Sequence, residues 1–157
     1  MENSSNECAY LPFKYGAADL IADLMAQLAD ADAVVRQDAA VALGDMGHQA
    51  AEAVDFLRQR LLSENVSYHD RACAAWALSQ IVEKDDSSVI ADLLHVLQTE
   101  VASPVADRLR YHCGFALEEL AGDDETLEFV RRSRAADPYW QEVDRLISEI
   151  PAAGEFR

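Results

Sequence analysis

The chain has little of what punctuates or crosslinks a fold. Its 157 residues hold six Gly and four Pro, too few for a collagen-like or low-complexity chain and too few for the many tight turns of an all-β protein. Three cysteines, Cys8, Cys73 and Cys113, are odd in number and widely spaced. They make no disulfide framework, and a reducing, cytoplasmic setting is expected. Positive charge is scarce: 13 Lys and Arg stand against 29 Asp and Glu, a net charge of −16. Such a surface repels nucleic-acid phosphates, which bind through Lys and Arg, and it repels anionic membranes. No apolar run approaches the length that spans a bilayer. The start Met1-Glu2-Asn3-Ser4-Ser5-Asn6-Glu7 lacks the basic residues and apolar stretch of a signal peptide. There is no glycine-rich phosphate loop, and no serine has His and Asp companions in a recognisable nucleophile motif.

What is present points to helices. Half of the residues are apolar, with alanine prominent, and the length suits one domain with a real core. The chain also repeats itself. Arg36-Gln37-Asp38-Ala39-Ala40-Val41-Ala42-Leu43, Arg71-Ala72-Cys73-Ala74-Ala75-Trp76-Ala77-Leu78 and Arg110-Tyr111-His112-Cys113-Gly114-Phe115-Ala116-Leu117 match when set on their arginines. The offsets are 35 and 39 residues, a period that suits a two-helix unit. Each match is the second helix of a pair. The first helices are Asp19 to Ala29, Ala50 to Leu62 and Val89 to Thr99, each with apolar residues at helical spacing.

Boundary signals agree with these pairs. Asp32 caps the helix of Arg36, and Gly44 and Gly47 stand at its end. Ser67-Tyr68-His69-Asp70 reads as a capping box for the helix of Arg71. Ser103-Pro104 supplies a cap and a first-turn proline for the helix of Arg110, which Gly122 closes. A degenerate fourth pair follows, Thr126 to Arg134 and then a helix opened by Asp137-Pro138 and stopped by Pro151. We expect residues 1–18 to be a tail that caps the first pair through the aromatic group Tyr10, Leu11, Pro12, Phe13 and Tyr15. The repeat domain covers 19–150, and 151–157 form a flexible tail.

The stretch Val35-Arg36-x-x-Ala39-Ala40-x-Ala42-Leu43-Gly44-x-Met46-Gly47 resembles the HEAT-like repeat of phycobilin lyases and their relatives. Arg71 to Ser79 looks like a second copy and Arg110 to Glu118 a third. The resemblance implies an all-α fold, a short right-handed α-solenoid of about four antiparallel helix pairs, with second helices lining a concave side. It also implies that Arg36 and Arg71 are structural and pair with loop aspartates such as Asp30 and Asp32.

Periodicity separates core from groove. Val35, Ala39, Leu43 and Met46 share a face, as do Ala74, Leu78 and Ile81, and Leu109, Cys113, Leu117 and Leu120; these are core positions, and Cys113 is then an inert buried thiol. Val41, Trp76 and Phe115 fall at equivalent places away from that face. They form either an exposed apolar contact stripe or, for the aromatics, wedges between neighbouring helices. One turn earlier Asp38, Cys73 and His112 align, with His69 four residues before Cys73. These are ligand types for zinc or iron, but their spacing matches no metal motif. Iron hydroxylases built from similar repeats use His-Glu pairs, whereas here the pairs are His48-Gln49, His69-Asp70 and His112-Cys113. We therefore expect no metal, no cofactor and no catalytic set.

Asp38, Asp45 and Glu119 flank the row, so an apolar strip is edged by carboxylates. The expected partner-binding surface is Val41, Trp76 and Phe115 with Asp38, Asp45, His69, Cys73, Tyr111, His112 and Glu119. Its expected occupant is a protein with a basic patch. The reading is a monomeric, non-enzymatic binding module, an adaptor or the inhibitor of a basic bacterial protein such as a secreted toxin. The alternative is an accessory subunit or chaperone-like lyase acting on a chromophore protein, with Cys73, His69 and His112 as its reactive trio. A nucleic-acid repair role would need a basic groove and is excluded by the acidic one.

Overall fold

A computed structural model describes residues 16–149 of the chain. The expectations for Tyr10 to Tyr15, for Ile150 and Pro151, and for the 151–157 tail lie outside the described residues. The described residues form eight α-helices and one 3-10 helix: α1 Ala17–Gln27, α2 Ala33–Asp45, the 3-10 helix Gly47–Ala53, α3 Val54–Leu62, α4 Tyr68–Ile81, α5 Ser87–Thr99, α6 Asp107–Leu120, α7 Asp124–Ala136 and α8 Pro138–Ser148. The fold is an all-α solenoid of helix pairs. The second helices α2, α4 and α6 pack on one another in sequence, and α1, α3 and α5 pack against them.

Short side chains explain the close stacking. Around α4, Ala72, Ala74, Ala75, Ala77, Leu78 and Ile81 are all buried. A helix clothed in alanine lets neighbours approach on several sides at once, and the leucines of the adjoining helices fill the remaining volume. Leu43, Leu57, Leu61, Leu93, Leu109 and Leu117 supply that volume, all fully buried. The core residues expected on α4 and α6 are all buried, as are Ala39 and Leu43, while Val35 and Met46 are half-buried. Leu20, expected on the apolar face of α1, is exposed, and Ile21, Leu24 and Leu28 do the packing there.

The caps and boundaries follow the sequence in part. Asp32 accepts from the Val34 N–H at 2.8 Å, and Asp137 from the Tyr139 N–H at 3.0 Å ahead of Pro138. Ser67 accepts from the Asp70 N–H at 3.1 Å. The box is not reciprocal, however, because the Asp70 carboxylate pairs with Arg36 and Arg60 instead. Ser103 caps a turn rather than α6: its hydroxyl accepts from the Ala106 N–H, and the helix begins only at Asp107. The stretch read as one helix from Ala50 is split, because Ala50 leaves helical geometry at φ −90° and ψ 21° and α3 starts at Val54. Gly44 lies inside α2 rather than at its end; Gly47, at φ 55°, takes the left-handed turn that ends it.

The repeated arginines are structural, but their partners differ from the expected loop carboxylates. Arg36 donates to the backbone carbonyls of Asp30 and Ala31 after α1 and pairs with Asp70 at 3.0 Å. Arg71 donates to the Leu61 carbonyl at 2.8 Å and pairs with Glu100 at 2.6 Å. Arg110 donates to the carbonyls of Leu97 and Glu100 and pairs with Asp137 at 3.0 Å. Each arginine thus satisfies open carbonyls at the end of its own first helix or in the loop just after it, and binds a carboxylate of the next repeat. The opposite ends of the second helices are tied too. His48 Nδ1 bonds the Ile81 carbonyl at 2.7 Å. Asp85 donates its N–H to the Leu120 carbonyl and accepts from the Gly122 N–H.

Candidate functional site

The second helices present one face that the first helices do not cover. On α2 it carries Asp38, Val41 and Asp45, all exposed. On α4 it carries His69, Cys73 and Trp76, each half-buried. On α6 it carries Arg108, His112, Phe115 and Glu119, of which only His112 is half-buried. Of the aligned apolar residues, Val41 is 41 % and Phe115 37 % exposed.

Trp76 differs from its two neighbours in the row. Its six-membered ring lies over Gly44 of α2, so closely that a Cβ on Gly44 would meet Trp76 Cζ3 at 2.4 Å. The ring is both a wedge between α2 and α4 and part of the open face. Tyr111 turns away from the row, edge-on to Tyr139 and Trp140 at centroid distances of 6.3 and 6.1 Å. It belongs to the packing of α6 against α8. Trp140 is only 2 % exposed and sits over Gly114 in the same way that Trp76 sits over Gly44.

The polar residues gather around Arg108. Its Nη1 lies 3.1 Å from His69 Nδ1. His112 lies one turn beyond Arg108 on α6, and its Nδ1 is shielded from solvent without a hydrogen-bond partner among the described atoms. Burial holds the His112 ring below the usual histidine range, and the charges of Arg108 and His69 add to this. Burial also pushes the Cys73 thiol up, partly offset by Arg108 and reinforced by Asp70 and Asp38. Cys113, wholly enclosed, is pushed up to about 12. Neither thiol is a ready nucleophile at neutral pH. Among the described residues, no three His, Cys, Asp or Glu side chains converge as ligands for one ion.

Arg108 escaped the sequence reading because it lies outside the repeated arginine register. Its spacing of four residues from His112 was the available signal. Asp38, Asp45 and Glu119 are exposed.

No helix among the described residues is long and apolar enough to cross a membrane. A search of curated proteins found no match, and a search of solved structures found none either. The family model for HEAT repeats matches residues 21–112, from within α1 to the first turns of α6, and takes in the first two copies of the arginine motif and the start of the third. With more than half of its length matched and every described element helical, the chain belongs to the HEAT-repeat family.

Proposed function

We propose that this chain is a non-enzymatic protein-binding module that holds a basic partner segment along the open face of α2, α4 and α6. HEAT repeats are in general scaffolds for protein interaction. The observation that carries the reading is the exposure of Val41 and Phe115 on one face with Trp76 between them, edged by exposed Asp38, Asp45 and Glu119. Apolar anchors with a charged rim are the composition of a contact surface, and the net charge of −16 selects a basic partner and speeds its capture. An adaptor or an inhibitor would use this face in the same way. A lyase-like role draws less support, since burial keeps the thiol of Cys73 protonated.

The test compares variants rather than relying on capture alone. Phe115→Ala and Val41→Glu truncate or charge the face without opening the core. Both are expected to lose a protein that the wild-type chain retains, and Arg131→Ala, far along α7, is expected to keep it. Equal retention by all three variants refutes the assignment of this face.

A further inference from the structure

Every described arginine except Arg108 has a described carboxylate within ion-pair distance. That exception is notable in a chain with more than two acidic residues for each basic one. Arg108 instead faces His69, with Cys73 one turn along α4 and His112 one turn along α6. An arginine can only donate, so His69 Nδ1 accepts and its ring proton sits on Nε2. His112 Nδ1 is shielded and unpartnered. A bare nitrogen tolerates that position better than an N–H does, so this proton also sits on Nε2. The group thus offers a guanidinium beside two imidazole N–H donors.

The surrounding charged and titratable groups are few. Asp38 approaches from α2. Asp70 on α4 is already shared by Arg36 and Arg60. Tyr111 stands edge-on to the His112 ring at 5.6 Å, with Tyr139 of α8 behind it. None of these carboxylates closes on Arg108.

We infer that Arg108, His69 and His112 form a carboxylate-binding point, which takes one Asp or Glu side chain of the protein segment held on this face. The inference rests on the face being a protein-binding surface, and it adds the register of the bound segment. Along the rest of the acidic face an acidic side chain is repelled, so a mainly basic segment with one acid fits in one position only. A bound carboxylate accepts charge-assisted hydrogen bonds from the guanidinium and from the imidazoles.

The experiment uses the full chain alone, with sodium acetate as probe, and follows the histidine ring signals by NMR at constant ionic strength. Acetate is expected to move the signals of His69 and His112 saturably, while His48 and His95 stay put. Arg108→Gln, an exposed substitution whose folding is checked by circular dichroism, is expected to abolish the movement. Asp38→Asn is expected to strengthen it. Unmoved His69 and His112 signals, equal movement of all four histidines, or an unchanged response in Arg108→Gln each overturn the inference. A response to inorganic phosphate without one to acetate also overturns it, by assigning the point to phosphoryl groups. Because no partner is present, failure here leaves the binding face standing, and failure of partner retention leaves this result untouched.

Discussion

At the scale of single residues, two tryptophans seated on glycines set the spacing of the second helices. Trp140 is enclosed between Gly114, Tyr111 and the Arg134 guanidinium, the last 6.0 Å from its ring. A Cβ on Gly114 would fall 2.1 Å from Trp140 Cη2. Gly114→Ala therefore loses about 1–3 kcal/mol to overpacking, although alanine in a helix normally gains about 1 kcal/mol over glycine; urea unfolding measures the sign. Gly44→Ala costs less, because the half-exposed Trp76 ring can swing outward, and a shift in tryptophan emission reports that movement. His112 gives a pH signature. Its folded ring binds protons less readily than the unfolded one, so stability rises with pH through that window. This contribution is complete above about pH 6.5, the ordinary histidine value, and declines as pH falls toward the depressed folded value. Chemical denaturation between pH 7.5 and 5 is expected to show that decline, and His112→Gln is expected to lose part of it.

At the scale of elements, α4 is the hub. Leu78 is fully buried there, and Leu78→Ala is expected to cost about 2–5 kcal/mol. Arg110→Ala leaves Asp137, 2 % exposed, as a buried carboxylate without its cation. A loss of about 3–5 kcal/mol follows, whereas Arg131→Ala, in an exposed pair with Glu128, costs well under about 1 kcal/mol. The same elements show how much the sequence disclosed. Leucine and alanine periodicity with the arginine register located the helix pairs and the core of α4 and α6, because those signals are local. The partners of the arginines were not legible, since Asp70 in the first turn of α4 and Glu100 at the end of α5 meet them across repeats, and no local rule links positions that far apart in sequence. The α6 start was misplaced because Ser103 and Asp107 satisfy a separate turn first, with the Ser103 N–H donating to Asp107 at 3.0 Å. Val41 and Phe115 were readable as exposed by register alone. The seat of Trp76 on Gly44 was not, since a glycine in a helix looks the same whether its space is empty or filled.

At the scale of the whole molecule, the proposed binding face would use charge to set how a basic partner arrives and apolar contact to set how long it stays. Asp45→Lys is expected to lower the association rate with little effect on dissociation, and raised salt is expected to do the same to the wild-type chain; stopped-flow measurement separates the two rates. Solenoids in principle unfold piecemeal, since each repeat touches only its neighbours. Here the neighbours share more than apolar surface. Each of Arg36, Arg71 and Arg110 closes the end of its own first helix while leaning on a carboxylate that the following pair supplies. Trimming the chain from its far end would strip a counter-ion from the pair before it, so each cut disturbs the unit it was meant to spare. A pulling force applied at the two ends would meet the same arrangement as a row of latches, and the extension trace would show few large steps instead of one small step for every helix pair.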